Sequence, residues 1–100
     1  MGITVVLETE DGKAIKSVED PTNILHIVLP ELDDPRFVCL NAIDWYGDTL
    51  FNRMQIGRLL EELNLLELSG NEAVMLIDDI KRLAAEMQDE NHIYLKFYGD

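Results

Sequence analysis

A single cysteine among 100 residues leaves no possibility of an internal disulfide. That residue, Cys39, lies in the apolar run Phe37-Val38-Cys39-Leu40, where a buried, inert thiol is expected in place of a nucleophile. Basic residues are also scarce: eight Lys and Arg stand against twenty Asp and Glu, for a formal charge of -12. Such a chain repels the phosphates of nucleic acid and anionic membrane surfaces, which argues against direct binding of either. No apolar run approaches the roughly 20 residues of a bilayer-spanning helix, and no basic segment leading into an apolar stretch opens the chain. Met1-Gly2 begins a myristoylation pattern, but Val6 occupies its Ser or Thr position. A cytoplasmic location is therefore expected. There is no phosphate-binding glycine loop, no metal-ligand cluster and no nucleophile beside its base, so neither cofactor nor metal is expected.

Aromatic residues make up only 7% of the chain, so the core must rest on Leu, Ile and Val, with Phe37, Trp45, Phe51 and Phe97 as its bulky members. Residues 1–100 are long enough for one hydrophobic core and too short for two, giving a single globular domain. Ile3, Val5 and Leu7 alternate with Thr4, Val6 and Glu8, which predicts a strand near 3–8. Asp11-Gly12 predicts a hairpin turn into a weaker strand near 13–18, placed at a sheet edge by Lys13 and Lys16. Asp20-Pro21 resembles a helix entry and predicts a short helix over 22–28. Pro30 and Pro35 bracket the acidic Glu31-Leu32-Asp33-Asp34, an expected exposed and mobile connector, and residues 36–43 then read as a buried strand.

Leu59, Leu60, Leu63 and Leu66 fall on one helical face, with Arg58, Glu61, Glu62 and Asn64 mostly elsewhere, predicting a helix near 56–67. Gly57 is expected near its entry or at a close packing contact. Ser69 and Glu72 have capping-box spacing ahead of a helix near 71–88, whose buried stripe is Ala73, Leu76, Ile77, Ile80, Leu83, Ala84 and Met87. On its wet side Arg82 can meet Asp78 or Glu86. After Asp89-Glu90-Asn91 the period changes, and Ile93, Leu95 and Phe97 oppose His92, Tyr94, Lys96 and Tyr98 in a closing strand near 92–98, central or paired with the first. The fold class that follows is α+β, a small, mostly antiparallel sheet packed on two helices.

Polar chemistry concentrates between Asp44 and Gln55. Tyr46-Gly47-Asp48-Thr49 reads as a turn, while Asn52 and Gln55 follow at a spacing that suits a helix but not one face of a strand. Turn and cap chemistry is one reading of the segment and a binding site is the other. The candidate binding residues are Asp44, Tyr46, Asp48, Asn52 and Gln55, joined by His92, Tyr94 and Tyr98 from the polar-aromatic stripe of the last strand. Asp44 and Asp48 could form an acid and base pair, and with Asn52 they could offer oxygens to a divalent cation, although the ligand count falls short of an established calcium loop. His26 and His92 lack metal-site spacing, and surface placement is expected for both. Leu65, Leu66 and Leu68, with Leu50 and Met54 upstream, exceed what one narrow helix face requires, which leaves homodimer contact and core closure both open.

The segment Tyr46-Gly47-Asp48-Thr49-Leu50-Phe51-Asn52-Arg53-Met54-Gln55, then Arg58-Leu59-Leu60-Glu61-Glu62-Leu63 and the closing Tyr94-Leu95-Lys96-Phe97-Tyr98-Gly99-Asp100, resembles a family of small uncharacterised bacterial proteins. The resemblance covers about the C-terminal two-thirds of the chain and implies that Asp48, Asn52 and Gln55 belong to a recurring segment and that Gly99-Asp100 is a terminus. It brings no activity with it, and this chain departs from the pattern by carrying Trp45 where a proline is expected before Tyr-Gly-Asp.

An acidic, non-enzymatic protein-interaction domain is the function these features predict. Its partner would be a basic protein, drawn by charge that raises on-rate and selectivity, and neutralisation of a toxin by an immunity-like protein is a concrete version. Solubility is the simpler reading of the same negative surface. The alternative is a small enzyme or cation-dependent domain using Asp44, Asp48, Asn52 and His92, which should then line one concave pocket.

Overall fold

The β-branched run Ile3-Thr4-Val5-Val6 favours extended backbone, and Ile3–Thr9 forms strand β1. The structure, a computed structural model, describes residues 2–29, 33–88 and 92–99. After β1 the chain reverses at Asp11-Gly12, where Gly12 takes a φ of 85° and the Thr9 N–H donates to the Lys13 carbonyl at 2.9 Å. Only glycine adopts that angle without strain. The returning strand β2 is Ala14–Asp20, paired antiparallel to β1 with a register shift at Leu7/Glu8.

Two short helices follow, and each starts on a carboxylate from outside it. Asp20, buried at the end of β2, accepts the N–H groups of Ile24 and Leu25 at 2.8 Å, at the start of α1 (Ile24–Val28). The expected helix entry at Asp20 is therefore present, although the backbone breaks into the helix at Asn23, with φ 61°. Residues 36–43 are not a strand: Val38–Asn41 is helix α2. The Cys39 and Leu40 N–H groups are both taken by Glu62, at 3.0 and 2.9 Å, so a side chain more than twenty residues away satisfies donors that an extended backbone would have offered to a sheet. Of the acidic connector, Pro30, Glu31 and Leu32 lie outside the described residues, as do Asp89, Glu90 and Asn91; within it, Asp34 pairs with Arg36 at 2.8 Å.

The missing strand lies where a turn was expected. Asp48–Phe51 is β3, and it enters directly into α3, Arg53–Leu65. That helix starts three residues before the expected position 56 because Asn52 and Gln55 form a capping box: the Asn52 side chain accepts the N–H of Met54 and Gln55, and the Gln55 side chain accepts the N–H of Asn52 at 2.9 Å. Gly57 faces open space inside α3, neither at its entry nor at a close contact. Helix α4 is Asn71–Glu86; its N-cap is Gly70 at φ 90°, with no side-chain cap bond, so Ser69 does not form the expected box and Glu72 sits in the positively polarised first turn. On its surface Arg82 meets Asp79 at 3.3 Å, not Asp78 or Glu86, and Glu86 instead receives Lys16 of β2 at 3.0 Å.

Strand β4, Ile93–Tyr98, closes the sheet between β1 and β3, antiparallel to both, in the order β2-β1-β4-β3. The fold is α+β as the sequence predicted, with four helices among the described residues, two of them long. One sheet face carries Ile3, Val5, Leu7, Phe51, Leu95 and Phe97 into the core beside Ile56, Leu59, Leu63, Leu76, Ile77 and Ile80 from α3 and α4. Phe51 and Phe97 meet edge to face at 5.6 Å. The alternate residues, Thr4, Val6, Glu8, Asp48, Leu50, Tyr94, Lys96 and Tyr98, turn to the other face, where none of them belongs to the core cluster.

Candidate functional site

The cross-strand register, not sequence proximity, assembles the polar groups of the open face. Glu8 stands opposite Tyr94, Val6 opposite Lys96, and Asp48 opposite Tyr98. The Tyr98 hydroxyl donates to the Glu8 carboxylate, the Lys96 ammonium lies 4.6 Å from the centre of the Tyr98 ring, and Asp48 Oδ2 is 3.7 Å from Lys96 Nζ. Four side chains from three strands thus form one chain of contacts. Glu8 is only 7% exposed although it faces away from the helices, because its neighbours on the sheet cover it.

These contacts set the proton affinities. The hydrogen bond to Glu8 holds the Tyr98 phenol above its ordinary range, with desolvation adding to it. Lys96 is likewise held protonated to higher pH, first by the Tyr98 oxygen and then by the carboxylates of Asp48 and Glu8. A cation over an aromatic ring and beside an anion is doubly stabilised.

The segment from Asp44 to Gln55 divides into separate tasks. Asp44 Oδ1 accepts the Tyr46 N–H at 2.9 Å, and the Asp44 N–H donates to Thr49 Oγ1 at 2.8 Å, so Asp44 organises the turn. Gly47 permits this closeness, since a Cβ there would stand 2.6 Å from Asp44 Oδ2. Asn52 and Gln55 cap α3. Tyr46 projects into solvent, 77% exposed, and Asp48 joins the open face through Lys96. Asp44 and Asp48 are therefore engaged with different partners, and no group of three or more His, Cys, Asp or Glu suited to a metal occurs among the described residues.

Both histidines are exposed, as expected. His92 precedes β4 at φ 69° and places Nδ1 2.6 Å from Glu10 Oε1, beside the sheet and apart from the Glu8–Tyr98–Lys96 cluster. His26 stacks on Trp45 at 4.6 Å, tying α1 to the turn at Asp44. Of the eight candidate residues, the structure brings Asp48, Tyr94 and Tyr98 to one surface, sets Tyr46 in the turn that leads into it, pairs His92 with Glu10, and assigns Asp44, Asn52 and Gln55 to local backbone.

Sequence reasoning overlooked Glu8 and Glu62. Glu8 is readable from the alternation of β1, which places it on the face of Thr4 and Val6, but its partner is 90 residues distant. Glu62 was assigned to the polar side of its helix; it is instead completely buried, clamped between the N-terminus of α2 and Arg58 Nε at 3.0 Å. Arg58 also donates to the Pro35 and Arg36 carbonyls, fastening the loop before α2. Beside this carboxylate the Cys39 thiol is pushed up to about 11, by burial first and by the Glu62 charge second, which leaves it protonated and inert.

Among the described residues no helix is long and apolar enough to cross a membrane. No family model matches the chain, and neither a curated protein nor a solved structure does.

Proposed function

We propose that this is a non-enzymatic protein-interaction domain that binds a basic protein partner through the open face of its sheet. The observation that carries the reading is the Glu8–Tyr98–Lys96–Asp48 chain, which fixes Tyr98 on a sheet face that no described helix covers, with Tyr94 on the same face. A tyrosine held in one orientation loses little freedom on binding and presents both apolar and hydrogen-bonding surface. The formal charge of -12 supplies long-range attraction for a basic partner. Neutralisation of a basic toxin in the cytoplasm, in the manner of an immunity protein, is the form of this activity we favour. The inert thiol of Cys39 suits a reducing compartment. The same proposal extends to kinship: the Tyr46–Gln55 segment and the closing strand would form the recognition surface of the bacterial family they resemble.

The rival enzyme reading requires Asp44, Asp48, Asn52 and His92 to line one pocket, whereas these four are occupied by a turn, an ion pair, a helix cap and Glu10 respectively. The binding reading is tested by immobilising the wild type beside Tyr94→Ala and Asp48→Ala and recovering partners from cell extract. A basic protein retained by the wild type, released as salt rises and lost from both variants is the expected result. Undiminished recovery by both folded variants would overturn it.

A further inference from the structure

The two edges of the sheet differ in kind. β2 bears Lys16, follows Lys13 and pairs with β1 through a register shift, all features that discourage a further strand. β3 at the opposite edge has no lysine, proline or register shift, and it is flanked by side chains that its own fold leaves uncovered: Tyr46 before it, Leu50 within it at 49% exposure and Met54 after it at 92%.

Its backbone phase follows from one bond. The Gly99 N–H donates to the Gly47 carbonyl at 2.6 Å, so the pair Gly47 and Gly99, one step beyond Asp48 and Tyr98 in the register, is of the hydrogen-bonded kind. Antiparallel pairs alternate. Thr49 and Phe51 therefore bond to β4, while the N–H and C=O groups of Asp48 and Leu50 point outward from the edge. No other described strand pairs with them.

We infer that the free edge of β3 receives an extended segment of the basic partner as a fifth strand. The inference rests on the binding reading above and specifies how the partner engages. Main-chain bonds to Asp48 and Leu50 would supply affinity, and the side chains beside them would supply selection. On the open face the added strand places a basic residue next to Asp48 and an apolar residue next to Leu50, two positions apart. A second copy of this chain fits poorly, since it would bring another net charge of -12 to the same edge.

The test uses a capped synthetic peptide, Thr-Lys-Thr-Val-Thr-Lys-Thr, at millimolar concentration, with amide exchange read residue by residue on the full chain. Exchange at Asp48 and Leu50 should slow by about an order of magnitude on binding, with Thr49 and Phe51 already protected. The same peptide N-methylated on its edge-facing amides, or with Glu in place of Lys, should give no such slowing. Leu50→Pro removes an outward donor while sparing the ladder to β4, so it should keep its fold and lose the protection. Unchanged exchange at Asp48 and Leu50, or equal protection by the N-methylated peptide, would overturn strand addition. Should Leu50→Pro fail to fold, the methylated peptide alone decides. Concentration-dependent dimerisation that protects the same two amides without peptide would replace the partner strand by a second copy, and overturn the inference as stated. Peptide shifts confined to Tyr94, Lys96 and Tyr98 would sink the edge inference and leave the open-face reading standing; loss of both sets of shifts would sink the two together.

Discussion

Neighbouring residues of β4 belong to two different environments. Leu95 and Phe97 are fully enclosed against α3 and α4, whereas Tyr94, Lys96 and Tyr98 are half-buried on the face that no described helix covers. The enclosed face is held by volume and close packing, which tolerate little change. The open face is held by polar contacts among Glu8, Tyr98, Lys96 and Asp48, each of which adds modestly to stability. A surface can be ordered without being indispensable to the fold, and such a surface is free to be used in recognition.

The sharpest way to break this contrast is to truncate both faces of the same strand. Phe97→Ala should cost about 3–5 kcal/mol, measured by urea unfolding, while Lys96→Ala on the other face should leave the urea midpoint nearly unchanged. Comparable losses would show that the open face is structural. The next largest effect concerns a polar group on the covered side. Glu62→Ala leaves the N–H groups of Cys39 and Leu40 without their acceptor, and each such orphan costs about 1–3 kcal/mol; a fall in unfolding free energy of at least about 2 kcal/mol for the two together, with faster exchange at those two amides, is expected. Asn52→Ala tests whether the central polar segment is cap or site. A loss of about 1 kcal/mol with partner recovery intact marks a cap; loss of recovery at unchanged stability would return Asn52 to the recognition surface.

The smallest effect is a titration. Tyr98 is held above its ordinary value of 10.0 because its hydroxyl donates to Glu8. A folded-state value above the unfolded one means that the contribution is fully present below the unfolded value and fades as pH rises through the folded one. Ultraviolet titration should therefore show one of the three tyrosines ionising late, and Glu8→Gln should bring it back towards the others. Three tyrosines ionising together in the wild type would remove the Glu8–Tyr98 link from solution.

Wherever a periodic pattern ran uninterrupted, the fold was legible in the sequence. The alternations of β1 and β4, the Asp11-Gly12 reversal and the apolar stripes of α3 and α4 are complete in themselves. The run Phe37-Val38-Cys39-Leu40 is apolar throughout and has no period, so strand and buried helix look alike there; Glu62, far along the chain, decides for helix. β3 has four residues, too few to display alternation, and its opening Asp48-Thr49, preceded by Gly47, has the composition of a turn. The Asn52–Gln55 capping box was visible as a spacing, but its role depended on knowing that a helix starts at Arg53. For the candidate surface, the residue types were readable and their grouping was not, because Glu8, Asp48 and Tyr98 meet only through cross-strand register.

The two short helices have a further consequence for how the molecule opens. With five and four residues, α1 and α2 are far below the length at which a helix persists by itself. Asp20 and Glu62 act as external clasps, so releasing either one frees a whole element at once. Amide exchange at Ile24 and Leu25, or at Cys39 and Leu40, should therefore quicken together when the clasp of that helix is removed, ahead of exchange in the central strands.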